Sequence, residues 1–191
     1  MPSSLLIIGA GGVGREIAAT LRNSAFSAYC IKGFVDDGLA AGTLVHSLPV
    51  VGNLDWLLQQ TEPYAVVIAI GNPKIRAAIL EQLKDCSFEF PAIVHPNVRI
   101  HDTDRVRIGP GCYLADGCIL TTDITLEAFC FLNTACTLQH DTYVERNSVL
   151  MPGVRITGGA RIGTGTYIAA NCVITTSGTV APHSVITRSI R

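Results

Sequence analysis

With 191 residues, 48% of them hydrophobic and 15% charged, the chain has enough apolar material for one large domain or two small ones. A net charge near −1 and no basic stripe argue against nucleic acid as the main partner, and no apolar run is long enough to span a bilayer. Seven cysteines without a CxxC or zinc-ligand spacing argue against a disulfide framework and predict a reducing, cytoplasmic compartment.

Residues 5–8 form a short apolar run that reads as a strand. It is too short, and lacks the basic flank, for a signal peptide. Glycines follow, and a helical pattern runs from about residue 15 to 22. A second strand is predicted over 30–35, a short helix over 56–60 and a third, fully apolar strand over 65–70. Asn72 and Pro73 then open a helix to about residue 84, with proline near its first turn. This is a small βαβ array, about half of a full dinucleotide domain. Its glycines match Gly9-x-Gly11-x-x-Gly14, and Asp36 stands 22 residues after Gly14, where a ribose-binding acid belongs. Taken alone, the motif suggests NAD or FAD. A tight turn at Gly11 and Gly12 is the other reading.

From about Ile93 the grammar changes. Every sixth residue from Ile108 to Ile186 is aliphatic, fourteen positions without an insertion. Four residues after each comes a mostly small position that takes five of the seven cysteines: Cys112, Cys118, Cys130, Cys136 and Cys172. Such a hexad suits a flat-sided parallel coil with three hexads per turn, the aliphatic residue filling the core and the small one lying near a corner. Gly109, Gly111, Gly117, Gly153, Gly163 and Gly165 suit the sharp bends. The expected organisation is an α/β domain over 1–90, with a small Rossmann-like parallel sheet, followed by an all-β coil over 91–191.

The ordered motifs of the whole chain resemble the hexapeptide-repeat acyltransferases, and among them the NeuD/PglD-like bacterial sugar acetyltransferases. The resemblance is carried by the glycine loop from Ile7 to Glu16 and by Gly33-Phe34-Val35-Asp36-Asp37 and Ala69-Ile70-Gly71-Asn72. In the coil it is carried by Leu132-Asn133-Thr134, Leu138-Gln139-His140-Asp141, Pro152-Gly153 and Gly158-Gly159. It implies a left-handed parallel β-helix, a homotrimer, acetyl-CoA along the groove between two coils, and a nucleotide sugar held by the front domain over that groove. It implies no metal. The activity implied is N-acetylation of a nucleotide-linked amino sugar for bacterial surface glycans. O-acetylation of sialic acid or another sugar hydroxyl is the near alternative, and a non-catalytic nucleotide-sugar or CoA-binding protein the alternative of another class. An NAD-dependent oxidoreductase finds no hydride chemistry in the coil. A metal hydratase finds no histidine partners for His140.

His140 is the candidate general base, because imidazole titrates near neutral pH and an amine must lose a proton as it attacks a thioester. Asp141 matches the family's acidic partner, although neighbours on a straight strand point to opposite faces. Gly11, Gly12 and Val13 are assigned to the substrate's diphosphate, Asp36 and Asp37 to its base or ribose, and Gly71 to the crevice wall. Asn133, with Thr134, is assigned a polar contact to substrate or pantetheine, with a corner asparagine as the plain reading. Gly158, Gly159 and Ala170 are assigned to acetyl-CoA, with a backbone N–H of the glycine pair near the developing oxyanion. A cysteine nucleophile is set aside because the coil thiols fall on the inward position. His46, His95, His101 and His183 read as structural or surface residues. Three features depart from the family. Val13 and Val149 stand where many relatives carry histidine. The chain also ends at Arg191, without the relatives' short tail near the CoA adenine, which implies either less contact there or a truncated or divergent copy.

Overall fold

The computed structural model describes residues 3–175 and 178–190. Arg191 lies outside the described residues. The chain forms two compact units, residues 1–71 with 78–91 and residues 72–77 with 92–191.

The first unit is built on β1 (Ser3–Ile8), β2 (Tyr29–Val35), β3 (Leu44–Val45), β4 (Leu48–Gly52) and β5 (Ala65–Ile68), in the order β3-β4-β2-β1-β5. Leu5, Leu6 and Ile7 of β1 are wholly buried, as expected for a central parallel strand covered on both faces. α1 (Gly12–Leu21) packs Ile17, Ala18 and Leu21 inward. It begins three residues before the pattern predicts, because Gly11 is its N-cap and the glycine loop itself starts the helix. α2 (Leu54–Leu58) is capped by Asn53, whose side chain accepts from the Trp56 N–H, and α3 spans Pro73–Leu83.

The sequence reading missed β3 and β4. Their hairpin turns on His46 and Ser47, both with positive φ, a two-residue geometry that usually advertises itself as Asn-Gly. Proline at Pro49 further obscures β4. The antiparallel edge makes the sheet mixed, whereas an all-parallel one was expected.

The second unit is a parallel coil of three faces. The first face carries six strands from Ile93–Val94 to Val185–Ile186, the second five from Arg99–Ile100 to Val173–Ile174, and the third five from Val106–Ile108 to Thr179–Val180. From Val106–Ile108 onward strands pair eighteen residues apart, as Leu120 with Leu138 and Leu138 with Ile156, whereas Val94 and Ile100 pair twenty residues on, with Leu114 and Leu120. The aliphatic column is therefore stacked in register, and from Leu114 to Ile174 each member is at most 1% exposed. Two further rungs, ending at Val94 and Ile100, precede the regular hexads. They escape the six-residue count because Ile100 to Ile108 is a step of eight, with the turn at 102–105 taking up the excess.

The small inward position does more than fit. Cys112 donates its S–H to the Glu127 carbonyl at 3.0 Å, Cys118 to Asn133 at 3.2 Å and Cys136 to Met151 at 3.3 Å; the Ser148 hydroxyl does the same to Gly163 at 3.0 Å. Each bond reaches fifteen residues ahead and satisfies a corner carbonyl that the strand ladders leave over. Burial pushes the Cys130 thiol well up, so it is packing material rather than a nucleophile.

The first turn of α3 belongs to the coil unit. Arg76, 1% exposed, donates to the Asn147 side chain at 3.1 Å and the Phe129 carbonyl at 2.8 Å, and lies over the Phe131 ring. Asn147 in return donates to the Pro73 carbonyl at 2.8 Å. Burial pulls the guanidinium down to about 10, which still leaves it charged at neutral pH. No periodicity or motif in the sequence points to this clasp.

Leu138, at the middle of the column, is the sharpest test of the packing. Leu138→Ala is expected to lower the unfolding free energy by about 2–5 kcal/mol, read from urea melts followed by circular dichroism. A loss well below that range would mean that the column can collapse around the gap.

Candidate active site

Two groups of expected site residues assemble, one in each unit. In the first unit the carboxyl ends of β1, β2 and β5 deliver the glycine loop, Asp36 and Gly71. The glycines there divide by cause. Gly9 has φ +99°, and a Cβ on Gly14 would stand 1.9 Å from the Gly9 carbonyl oxygen, so turn and packing require these two. Gly11, Gly12 and Gly71 have nothing within 4 Å of where a Cβ would stand, and none has a left-handed φ. The fold does not ask for glycine at those three, and the space before the start of α1 stays open. The N–H groups at that helix start are the donors a phosphate would use. Val13, in the first turn, is half-buried.

Asp36 is more committed than the sequence suggests. One oxygen accepts the Ala10 N–H at 2.8 Å and the other the Gly38 N–H at 2.9 Å, so it ties the glycine loop to the end of β2. Asp37 accepts the Leu54 N–H at 2.8 Å and secures the start of α2.

In the coil, His140 and Asp141 occupy the corner between the second and third faces, not a strand. Asp141 has φ +59°, one of a series of left-handed residues spaced by six along the coil. That bend removes the objection that neighbours face apart. His140 Nδ1 lies 2.8 Å from an Asp141 carboxylate oxygen, and both side chains are about two-thirds exposed. With Nδ1–H donating to the carboxylate, Nε2 keeps its lone pair and no partner among the described residues. The turn is pinned by the Thr142 hydroxyl, which donates to the Gln139 carbonyl at 2.7 Å.

Gly158 and Gly159 sit on the same corner one coil turn further on. The Gly159 N–H donates to the His140 carbonyl at 2.9 Å, so it serves the coil. The Gly158 N–H has no partner among the described residues. Asn133 and Ala170 lie on the other corner of the second face, away from this group. Asn133 is 8% exposed and its side-chain oxygen accepts the Thr134 N–H at 2.7 Å, the arrangement of a corner asparagine. Ala170 is exposed. Val149 is wholly buried on the outer side of the first face, beside Phe131 and Tyr167 in the strand pairing.

The family model described as the PglD N-terminal domain matches residues 4–83, and that of the bacterial transferase hexapeptide (six repeats) matches residues 141–176. A GDP-perosamine N-acetyltransferase of Escherichia coli O157:H7 is 28% identical over 172 residues, covering 88% of this chain and 76% of that protein. The acetyltransferase domain of PglB from Neisseria gonorrhoeae FA1090, solved with acetyl coenzyme A, is 27% identical with a TM-score of 0.83, covering 100% of this chain and 93% of that one. The same fold is seen at 22% identity and TM-score 0.74 in a histidine-to-asparagine mutant of perosamine N-acetyltransferase from Caulobacter crescentus with CoA and GDP-perosamine, covering 98% of this chain and 90% of that one.

The tautomer is directly measurable. Nitrogen-15 imidazole spectra at neutral pH are expected to show His140 as the Nδ1–H form, and Asp141→Ala to release it toward the Nε2–H form that dominates free histidine. An unchanged spectrum would mean that the carboxylate does not orient the ring.

Proposed function

We propose that the chain, whose residues 4–83 and 141–176 match the models of the PglD N-terminal domain and the bacterial transferase hexapeptide, is a sugar acetyltransferase of this kind that uses acetyl-CoA and N-acetylates a nucleotide-linked amino sugar with His140 as general base. The observation that carries this reading is the His140–Asp141 contact of 2.8 Å on an exposed corner, with no partner for Nε2 among the described residues. A sugar amine attacking the thioester carbonyl forms a C–N bond and gives its proton to Nε2. The tetrahedral intermediate expels the CoA thiolate as the C–S bond breaks, and the imidazolium returns the proton to that sulfur. The Gly158 N–H is assigned to the oxyanion. Asp141 stabilises the imidazolium and fixes the tautomer.

The nucleotide half of the acceptor is assigned to the first unit. Gly11, Gly12 and Val13 at the start of α1 would receive the diphosphate, with Gly71 as wall. Asp37, which spends only one oxygen on the fold, is better placed than Asp36 to meet ribose or base. A nucleotide amino sugar is supported by the N-acetyltransferase on GDP-perosamine that this chain resembles over most of its length. The reading extends to a homotrimer, to a role in surface glycan assembly, and to a reducing cytoplasm, which suits seven unpaired thiols. Among the described residues no helix is long and apolar enough to cross a membrane.

Thiol release from acetyl-CoA, tested against GDP-, UDP- and dTDP-linked amino sugars, is expected to require one of them and to fall by about 10²-fold or more in His140→Ala. Release that needs only a free sugar hydroxyl would replace N- by O-acetylation. Tight binding without release would make the chain a binding protein. Light scattering is expected to give a trimer's mass, and a monomer would count against the assembly.

A further inference from the structure

The corner position occupied by His140 recurs every six residues. From Pro110 to Arg188 it is filled by proline, aspartate, threonine, alanine, histidine and arginine, and only at Gly158 by glycine. Gly158 is also the residue one full turn beyond His140 in the coil. Its φ is not left-handed, unlike that of Gly159 at +76°, so the backbone itself does not call for glycine at 158. The reason lies in what a side chain would meet. A Cβ on Gly158 would stand 2.5 Å from Cε1 of His140, 2.8 Å from Nε2 and 2.9 Å from Nδ1. All three of these nearest atoms belong to the imidazole. The coil has room for a side chain at 158, and the imidazole occupies it.

We propose that Gly158 is a positioning residue for the acetyl transfer: its missing side chain is the seat of the His140 ring and keeps Nδ1 on Asp141. The inference rests on His140 being the base of that reaction. Two constraints then hold one exposed ring. Asp141 draws one nitrogen, and the bare Gly158 backbone leaves the ring the space it needs to stay there. Because the imidazole is about two-thirds exposed, a methyl group at 158 would displace it into solvent rather than break the coil. The damage falls on the base and not on the fold. This role differs from a contact to acetyl-CoA, which would register in donor affinity, and from the oxyanion role of the Gly158 N–H, which is independent of the ring.

Gly158→Ala keeps the N–H and adds only the methyl group. It is expected to lower kcat by about 10- to 100-fold, the scale of a catalytic group displaced by about an ångström, with KM for acetyl-CoA nearly unchanged and the melting temperature retained. The nitrogen-15 signature of Nδ1–H on His140 should be lost. In the His140→Ala background the same change should cost nothing more, because the ring it displaces is gone. A Gly158→Ala enzyme with full kcat, one that loses only acetyl-CoA affinity, or one whose loss multiplies with that of His140→Ala overturns the seat while leaving the base assignment intact. A His140→Ala enzyme that is itself undamaged overturns both.

Discussion

A coil turn of eighteen residues can close only if the chain bends sharply three times, and one left-handed residue per hexad supplies each bend. From Gly111 to Asn171 a residue with positive φ recurs every sixth position, and His183 continues the series. The conformation has a second consequence. At this position the N–H is aimed back at the preceding turn, as from Phe129 to Pro110 at 2.8 Å, Ala135 to Asp116 at 2.9 Å and Gly159 to His140 at 2.9 Å. From Phe129 on, each described corner is thus hydrogen-bonded to the one beneath it. That recurrence is how residues such as Phe129 and Ala135, whose Cβ opposes a left-handed φ by roughly 1–2 kcal/mol, are tolerated at all. Once bends and inward column are fixed, the outward corner residue is free to vary. Proline, threonine, arginine and histidine succeed one another there without disturbing the core.

This division explains what was legible in the sequence. The column from Ile108 to Ile186 repeats with a fixed period, so the coil could be read directly, and the inward cysteines could be read as packing. The rungs ending at Val94 and Ile100 could not, because the eight-residue step across the turn at 102–105 breaks the count. Arg76 was invisible for a different reason. Its burial depends on Asn147 and Phe129, which lie far along the chain, and nothing local distinguishes it from a surface arginine on a helix. The hairpin at His46 and Ser47 was hidden by residues that adopt the required φ without being glycine.

The glycine loop shows where motif and mechanism separate. The fingerprint treats Gly9, Gly11 and Gly14 alike, yet the fold requires only the first and last. Gly9 must turn, and Gly14 must let α1 lie against the Gly9 carbonyl. Gly11, Gly12 and Gly71 are bare without a conformational or packing reason. Open backbone at the start of a helix is what a close-lying phosphate needs. The acidic residue of the fingerprint is likewise partly structural, since both oxygens of Asp36 are spent on backbone N–H groups. Spacing alone gives a carboxylate no label that says which way it is used.

The coil corner reverses the expectation drawn from strand geometry. On a strand, His140 and Asp141 would face apart and could not form a pair. At a corner the left-handed residue swings its side chain back beside its neighbour. Aspartate is among the few residues that take this conformation readily, so the residue the bend accepts is also the one that meets Nδ1. The pair is too exposed to matter much for folding. Its effect is on the ring, which it orients while leaving Nε2 without a partner among the described residues. A bend imposed by the closure of the coil therefore supplies an oriented imidazole, and the glycine one turn away leaves the space that the ring occupies.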